Sequence, residues 1–210
     1  MNKLTPLSVL MAFGRGEFTM TATHERVQFD PDAFYTITIA VTGQELALTF
    51  VPPEGEAVTN SPARSRLELS PLSHEPAQHW RFHRAQIPPN HSYTIFTRIS
   101  DDPDRLTGIL RLSNPDNQFR PHSNRLTIGA RTQSITAFWH VARAGNGMFK
   151  IRSLLGHPDH LNKQTERAAP DRWDFERALE ITAEGGTFTP THGPIADTPA
   201  QLWRIAKVSV

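Results

Sequence analysis

The stretch Gln78-His79-Trp80-Arg81-Phe82 occurs three times in related form along this 210-residue chain. It returns near the C-terminus as Gln201-Leu202-Trp203-Arg204-Ile205, and a weaker copy lies between them as Ala137-Phe138-Trp139-His140-Val141. In each copy an apolar residue follows the Trp by two positions, which is the alternation of a strand with one buried face. We therefore expect three equivalent strands, each with a buried tryptophan.

Two further motifs precede each tryptophan in the same order. The nearer motif is Leu67-Glu68-Leu69, then Leu126-Thr127-Ile128, then Leu179-Glu180-Ile181. The farther motif begins with an aromatic residue and is Tyr35-Thr36-Ile37, then Tyr93-Thr94-Ile95, then Phe149-Lys150-Ile151. The nearer motif ends 11, 11 and 22 positions before its Trp. We therefore expect an inserted loop in the third copy, from Gly185 to Pro199.

The opening aromatic residues are 58 and 56 positions apart, which divides the chain into repeats at about 33–88, 91–145 and 146–210. One such unit cannot bury its apolar face alone, so the three must share one core. A closed arrangement also removes free strand edges. We expect one all-β domain over residues 31–210, with three pseudo-symmetric repeats of about four strands each, after an N-terminal tail over residues 1–30.

Turn signals divide the repeats into short strands. Phe34 to Phe50 alternates apolar and polar residues around Thr42-Gly43, which predicts two strands and a tight turn. Asn146-Gly147 predicts another tight turn, between the second and third repeats. Asp171 to Leu179 also fits a short helix, but the repeat pattern favours a strand at Leu179-Glu180-Ile181.

Composition excludes several classes of protein. Hydrophobic residues make up 38% and charged residues 20%, and the formal net charge of +1 gives no electrostatic basis for binding nucleic acid or an anionic membrane. The 17 prolines disfavour long helices, and the absence of cysteine excludes disulfides and thiolate chemistry. Met1 to Gly14 only partly resembles a signal peptide, so we favour a cytoplasmic protein over a secreted one.

Three units that each end in Q-x-W or a remnant of it resemble the ricin B-type β-trefoil lectins. The resemblance covers about residues 33–210, and it is closest to cysteine-free fungal members in which an aromatic-x-Ile strand opens each unit. It implies a β-trefoil of twelve strands, six forming a short barrel and six forming three hairpins that cap it. It also implies shallow pockets for galactose-type or related sugars, one in each repeat.

The QxW residues are expected to be structural. A side-chain amide can donate and accept hydrogen bonds at once, so Gln78 and Gln201 are expected to fix the turn before each Trp strand. Ala137 replaces this glutamine in the second repeat. The equivalent core residues are expected to be Trp80, Trp139 and Trp203.

In the lectins that this chain resembles, an Asp on the second strand grips sugar hydroxyls and an Asn before the Gln assists it. Here Ala47 stands at the Asp position of the first repeat, and Asn162 is assigned to that of the third. Ala77 and Ala200 replace the assisting Asn, and Thr136 stands there in the second repeat. No repeat keeps the complete set, so we expect degenerate or altered sugar sites.

The third repeat holds the best remaining candidates for carbohydrate binding. Asn162 can hydrogen-bond hydroxyls, and Asp159, His160 and Trp173 lie near it in sequence. The alternative is a solvated polar turn without a ligand. His157 with Asp159 and His160 has the composition of a metal site, but spacing supplies no further ligand. We expect no metal and no cofactor.

The sequence leaves three functions open. The first is a non-catalytic, lectin-like carbohydrate-binding protein, and the second is a β-trefoil protease inhibitor or protein-interaction module, suggested by long loops at Val51 to Arg66 and Gly185 to Pro199. The third is a scaffold without a ligand. An enzyme is not expected, because the chain has no G-x-S-x-G, H-E-x-x-H, cysteine nucleophile or phosphate-binding glycine loop. The expected partner is a glycan, or a protein such as a protease.

Overall fold

The computed structural model describes residues 27–52, 66–85, 92–98, 108–112, 126–129, 137–153 and 177–209. Within these residues the chain forms twelve strands that belong to one hydrogen-bonded sheet. No helix among them has the length and hydropathy needed to cross a membrane. The strands are β1 (Tyr35–Val41), β2 (Gln44–Val51), β3 (Arg66–Pro71), β4 (Trp80–Arg84), β5 (Ser92–Thr97), β6 (Ile109–Leu112), β7 (Leu126–Gly129), β8 (Trp139–Gly145), β9 (Met148–Ser153), β10 (Arg177–Glu184), β11 (Thr187–Pro194) and β12 (Trp203–Lys207).

Six of these strands close into a barrel. Around the ring their order is β1, β4, β5, β8, β9 and β12, and every neighbouring pair is antiparallel. The ring is completed by β12 and β1, in which Lys207 is paired with Tyr35 and Arg204 with Thr38. Each barrel strand therefore has a partner on both sides, which is the closed arrangement that the repeats predict.

The other six strands form three hairpins, β2–β3, β6–β7 and β10–β11. Each hairpin is joined to the barrel by its first strand, through the pairs β1–β2, β5–β6 and β9–β10. The second strands of the hairpins, β3, β7 and β11, contact one another. The three hairpins therefore form a cap over one end of the barrel, and the prediction of an all-β chain with about four strands per repeat is confirmed.

Two-residue turns with positive φ join three of the strand pairs. Thr42-Gly43 has φ angles of 51° and 81°, and Asn146-Gly147 has φ angles of 49° and 72°, as the sequence predicts for tight turns. Gly185-Gly186, at 58° and 85°, makes the same turn between β10 and β11. Positive φ at both central residues matches the right-handed twist of the paired strands.

The three tryptophans occupy equivalent places in one core, and each is 0% exposed. The indole nitrogen of Trp80 donates to the carbonyl oxygen of Leu48 on β2 at 2.9 Å. Trp139 donates to Leu110 on β6 at 2.8 Å, and Trp203 donates to Leu179 on β10 at 2.9 Å. The same core contains the isoleucines of the three aromatic-x-Ile strands, Ile37, Ile95 and Ile151.

These indole bonds correct the alignment of the third repeat. Because Trp203 binds the carbonyl of Leu179 as Trp80 binds that of Leu48, Leu179 belongs to the second strand of its repeat. The sequence pattern instead aligns Leu179-Glu180-Ile181 with Leu67-Glu68-Leu69, which lies on β3, the third strand of the first repeat. In the hairpin register His192 is opposite Leu179 as Leu69 is opposite Leu48, so the buried His192 takes the place of an expected isoleucine.

The predicted loop from Gly185 to Pro199 is wrong over most of its length. Gly185-Gly186 is a tight turn, and Thr187–Pro194 is strand β11, paired with β10 along its whole length. Two adjacent glycines can adopt positive φ without a Cβ penalty, which allows the chain to reverse within two residues. The extra length of the third repeat therefore lies between β9 and β10, in residues 154–176.

The residues before the first repeat pack into the barrel end opposite the cap. Phe29 stacks on Phe82 with a ring-centroid distance of 4.1 Å. It also meets the edges or faces of the residues that open the three repeats, Tyr35 at 5.1 Å, Tyr93 at 5.2 Å and Phe149 at 6.5 Å. We call residues 27–30 the plug, because its phenyl ring fills the space among the three repeats.

Hydrogen bonds fix the backbone of the plug. The hydroxyl of Tyr93 donates to the carbonyl of Val27 at 2.5 Å, and the amide of Asp30 donates to the hydroxyl of Tyr35 at 2.8 Å. Lys207 pairs with the Asp30 carboxylate at 2.8 Å, and this contact lowers the pKa of Asp30. The segment assigned to a tail from the sequence thus ends in a part of the core.

We expect Phe29→Ala to destabilise the barrel by about 2–3 kcal/mol, because the substitution removes a ring that packs against four other aromatic side chains. The free energy of unfolding in urea measures the loss. The matched control is Gln28→Ala at the neighbouring exposed position, which should change stability by less than about 0.5 kcal/mol. A cost of Phe29→Ala below about 0.5 kcal/mol would show that packing of the Phe29 ring contributes no stability.

Candidate functional site

The four residues predicted to bind carbohydrate, Asn162, Asp159, His160 and Trp173, lie outside the described residues, between the end of β9 and the start of β10. His157 and Thr136 also lie outside them. Among the residues that the structure does describe, no group of three or more His, Asp or Glu side chains is placed to hold a metal ion.

The second strand of each repeat is where the resemblance expects a sugar-binding Asp. Ala47 precedes Leu48 on β2, so its equivalents are the residues that precede the other two indole acceptors, Ile109 and Ala178. All three are 0% exposed. The assignment of Asn162 to this strand position is therefore wrong, because Ala178 occupies it. A lectin-type carboxylate is absent from this position in all three repeats.

Gln201 fixes the chain that leads into the third Trp strand. Its side-chain oxygen accepts a hydrogen bond from the amide of Ala196 at 2.9 Å. Its side-chain nitrogen donates to the carbonyl of Pro194 at 2.7 Å and to the carboxylate of Glu180 at 2.9 Å. Gln201 is 1% exposed, so these bonds hold residues 194–196 in one conformation away from competing water.

Gln78 makes the equivalent hydrogen bonds in the first repeat. Its oxygen accepts from the amide of Ser73 at 2.8 Å, five positions before it, and its nitrogen donates to the carbonyl of Pro71 at 2.9 Å, seven positions before it. The offsets from Gln201 to Ala196 and Pro194 are identical. Both glutamines therefore hold the turn between the third and fourth strands.

The two glutamines differ in the polar side chains that their amide nitrogens contact. In the first repeat the side-chain nitrogen of Gln78 meets the paired hydroxyls of Thr49 and Ser70, at 3.4 and 3.1 Å. In the third repeat Glu180 and Gly193 hold these places, and a Cβ on Gly193 would stand only 2.0 Å from the Glu180 carboxylate. Glycine therefore provides the room for one carboxylate to replace two hydroxyls.

The turn that Gln201 holds contains an exposed carboxylate, which is hydrogen-bonded to a buried lysine. Asp197 follows Ala196, and its side chain is 74% exposed. Lys150, on β9, is 1% exposed, and its ammonium group donates to a carboxylate oxygen of Asp197 and, at 2.9 Å, to the carbonyl of Ala196. The lysine therefore orients Asp197 while most of the Asp197 side chain stays exposed to solvent.

Charge keeps Asp197 ionised. The hydrogen bond from Lys150 lowers the pKa of Asp197 most, and the positive charge of Lys150 lowers it further. Burial opposes these effects in part, and the positive charge of Arg152 makes the smallest contribution, which also lowers the pKa. Arg152 lies two positions after Lys150 on β9, where its backbone is paired with that of Ala178 on β10, and its positive charge acts on Asp197. A carboxylate that Lys150 orients, close to the positive charge of Arg152, can bind a pair of hydroxyl groups.

Sequence reasoning missed Lys150 and Asp197, although one signal was available. In the aromatic-x-Ile motif the middle residue is Thr36 in the first repeat and Thr94 in the second, but Lys150 in the third. A lysine at a buried strand position requires an anionic or carbonyl partner. The partner could not be named, because the aligned third repeat placed Asp197 inside a loop.

Neither family models nor curated proteins match the chain, whereas solved structures do. The designed threefold-symmetric protein ThreeFoil has a TM-score of 0.56 at 14% identity, with 84% of this chain and 100% of that chain covered. The fold is a β-trefoil.

Two lectin structures with bound sugars are also similar to this chain. A Polyporus squamosus lectin bound to the human-type influenza-binding epitope Neu5Acα2-6Galβ1-4GlcNAc has a TM-score of 0.51 at 17% identity, covering 86% of this chain and 50% of that one. The β-trefoil lectin of the Vibrio vulnificus hemolysin/cytolysin, with N-acetyl-D-lactosamine bound, has a TM-score of 0.51 at 12% identity, covering 85% and 96%. At such identities the similarity establishes the fold alone.

We expect Gln201→Ala to lower the free energy of unfolding by about 2–3 kcal/mol, because it leaves the amide of Ala196, the carbonyl of Pro194 and the Glu180 carboxylate without their partner. Chemical denaturation measures the change. Gln44→Ala, at an exposed position on β2, is the control and should have little effect. A cost below about 0.5 kcal/mol would contradict a structural role for this glutamine.

We expect Asp197→Ala to cost about 1–2 kcal/mol at pH 7, because it removes the carboxylate partner of the buried Lys150 ammonium; solvent around the carboxylate limits the loss. The pKa of Asp197 is lowered in the folded state from 3.8. Its contribution is therefore complete well above pH 3.8 and is lost as the pH falls through the folded pKa. Unfolding curves of both proteins should converge at acidic pH, and a constant difference would contradict this assignment.

Proposed function

We propose that this protein is a non-catalytic carbohydrate-binding protein whose altered sugar site lies in the third repeat. The observation that carries the proposal is the exposed Asp197 carboxylate, which the buried Lys150 holds in place on the turn fixed by Gln201. The similar lectin structures support a sugar as the ligand class. In the third repeat Ala178 occupies the position of the lectin-type Asp. The proposed acid, Asp197, comes instead from the connection between β11 and β12.

The proposed mechanism is recognition of vicinal hydroxyls. The free oxygen of Asp197 accepts a hydrogen bond from one hydroxyl, and Arg152 donates to a neighbouring oxygen. Because Lys150 orients the carboxylate before binding, little side-chain entropy is lost when the sugar arrives. Each charge-assisted bond contributes roughly 1.5–3 kcal/mol, so two such bonds predict weak, millimolar to micromolar affinity for a single sugar.

The residues predicted from the sequence remain proposals for the rest of this site. Asn162, Asp159 and His160 offer further polar groups, and Trp173 offers the aromatic face that sugar C–H groups prefer. All four belong to the connection between β9 and β10, the strands that carry Arg152 and Ala178. This connection is longer than those of the other repeats, which supports the third repeat as the place of an altered specificity.

Protease inhibition or protein binding remains the alternative function. One of its two supporting loops, Gly185 to Pro199, is mostly a paired strand, so the structure removes that support. The other, Val51 to Arg66, lies mainly outside the described residues. No contact among the described residues favours this alternative over sugar binding.

A broad glycan array with the full chain tests the proposal, followed by titration of the best sugar. We expect wild-type protein to bind at least one glycan and Asp197→Ala to weaken that binding roughly tenfold or more. The matched control is Glu184→Ala, an exposed acid on β10, which should bind as the wild type does.

Each outcome of this experiment separates the claims. Binding that is equal in wild type and Asp197→Ala would move the site to another part of the molecule. Absence of any bound glycan on the array would overturn the carbohydrate function, and inhibition assays against a panel of proteases would then test the alternative.

A further inference from the structure

Two arginine side chains contact one aromatic ring on the outer wall of the barrel. The antiparallel pairing of Tyr35 with Trp80 brings the preceding Phe34 beside Arg81. Trp80 and Phe82 face the core, so Arg81 between them faces outward. Its guanidinium carbon lies 4.4 Å from the centre of the Phe34 ring.

A second guanidinium shares the same ring. The guanidinium carbon of Arg98, just after β5, lies 4.7 Å from the centre of Phe34. The amide of Arg98 donates to the carbonyl of His79 at 2.9 Å, and its guanidinium lies 3.0 Å from Nδ1 of the same histidine. Both ends of Arg98 are therefore tied to His79, and its position is fixed before any ligand binds.

His79 does not neutralise these charges. A guanidinium can only donate hydrogen bonds, so Nδ1 of His79 must be the acceptor and the imidazole is neutral. Burial lowers the pKa of His79, and electrostatic interaction with Arg98 and with His74 lowers it further, which agrees with the neutral form. The cluster thus holds two permanent positive charges, both stacked on one phenyl ring.

No carboxylate of the described residues forms an ion pair with Arg81 or Arg98. The equivalent of Arg81 in the third repeat, Arg204, differs in this respect, because it pairs with Glu45 at 3.4 Å. Attraction to an aromatic face offsets only part of the repulsion between two guanidinium groups. An added anion would offset the remainder and would use their unshared N–H donors.

We propose that Arg81, Arg98 and Phe34 form a binding site for a carboxylate-bearing ligand, separate from the sugar site of the third repeat. Planar guanidinium groups match carboxylates by paired N–H donors, which a phenyl ring holds in a fixed plane. Phe34 is half-buried, and its ring is the common contact of both guanidinium groups. Such a carboxylate belongs either to an acidic sugar or to a simple organic acid.

The test titrates the full chain at pH 7 and low salt with sodium glucuronate, with sodium acetate and with glucose, and follows the amide signals of Arg98 and His79 by NMR. We expect glucuronate to shift these signals and glucose to leave them unchanged. Shifts with acetate of similar affinity identify the carboxylate alone as the ligand, whereas tighter binding of glucuronate adds a contribution from the sugar ring.

Variants decide whether the cluster is the site. Arg81→Gln and Arg98→Gln should each weaken glucuronate binding roughly tenfold, since each removes a charged donor. Arg204→Gln, the threefold equivalent of Arg81, should bind as the wild type does, and unfolding curves verify that each variant is folded. Absence of shifts with both acids, or equal weakening by Arg204→Gln, would overturn the proposal.

Discussion

The structure depends on one interaction repeated three times, the hydrogen bond from a buried indole N–H to a carbonyl of the second strand. Trp80, Trp139 and Trp203 each supply the largest buried side chain of their repeat and also fix where barrel and cap meet. A buried N–H without an acceptor is costly, so each tryptophan tolerates only one register of its hairpin. The threefold symmetry of the backbone follows from that constraint, because the same distance between strands is set three times.

The indole hydrogen bond is the same in all three repeats, but the polar contacts before each tryptophan strand differ. The side-chain nitrogen of Gln78 donates to two hydroxyls, whereas that of Gln201 donates to the Glu180 carboxylate. In the second repeat Ala137 stands at this position and supplies no side-chain amide. In the third repeat Gln201 does more than stabilise the turn, because its hydrogen bond with the Ala196 amide also fixes the position of the neighbouring Asp197. Trp203 fixes the strand, Gln201 fixes the turn and Lys150 fixes the carboxylate, so the proposed site is built outward from the core. Its affinity should therefore depend on residues that never touch a ligand.

The fold could be predicted because its determinants recur in the sequence, whereas the site could not. The tryptophans and the aromatic-x-Ile strands are local patterns that the threefold repeat supplies three times, and the turn at Asn146-Gly147 is a local pattern by itself. The third repeat was misaligned because Leu179-Glu180-Ile181 fits the second and third strands equally well by alternation. Only the partner of Trp203 distinguishes them. The contact of Lys150 with Asp197 joins residues 47 positions apart, and no local pattern encodes such a pair.

The plug closes the end of a barrel with threefold pseudo-symmetry, but its own contacts with the three repeats are not equivalent. Tyr35 and Tyr93 use their hydroxyls on the plug, the first accepting from the Asp30 amide and the second donating to the Val27 carbonyl. The third repeat presents Phe149 at the same place. A single short segment has few backbone groups within reach, and a third hydroxyl there would need a further partner to avoid the cost of burial. Phenylalanine contributes the packing without that requirement, so the asymmetry of the sequence at this position follows from the asymmetry of what fills the barrel.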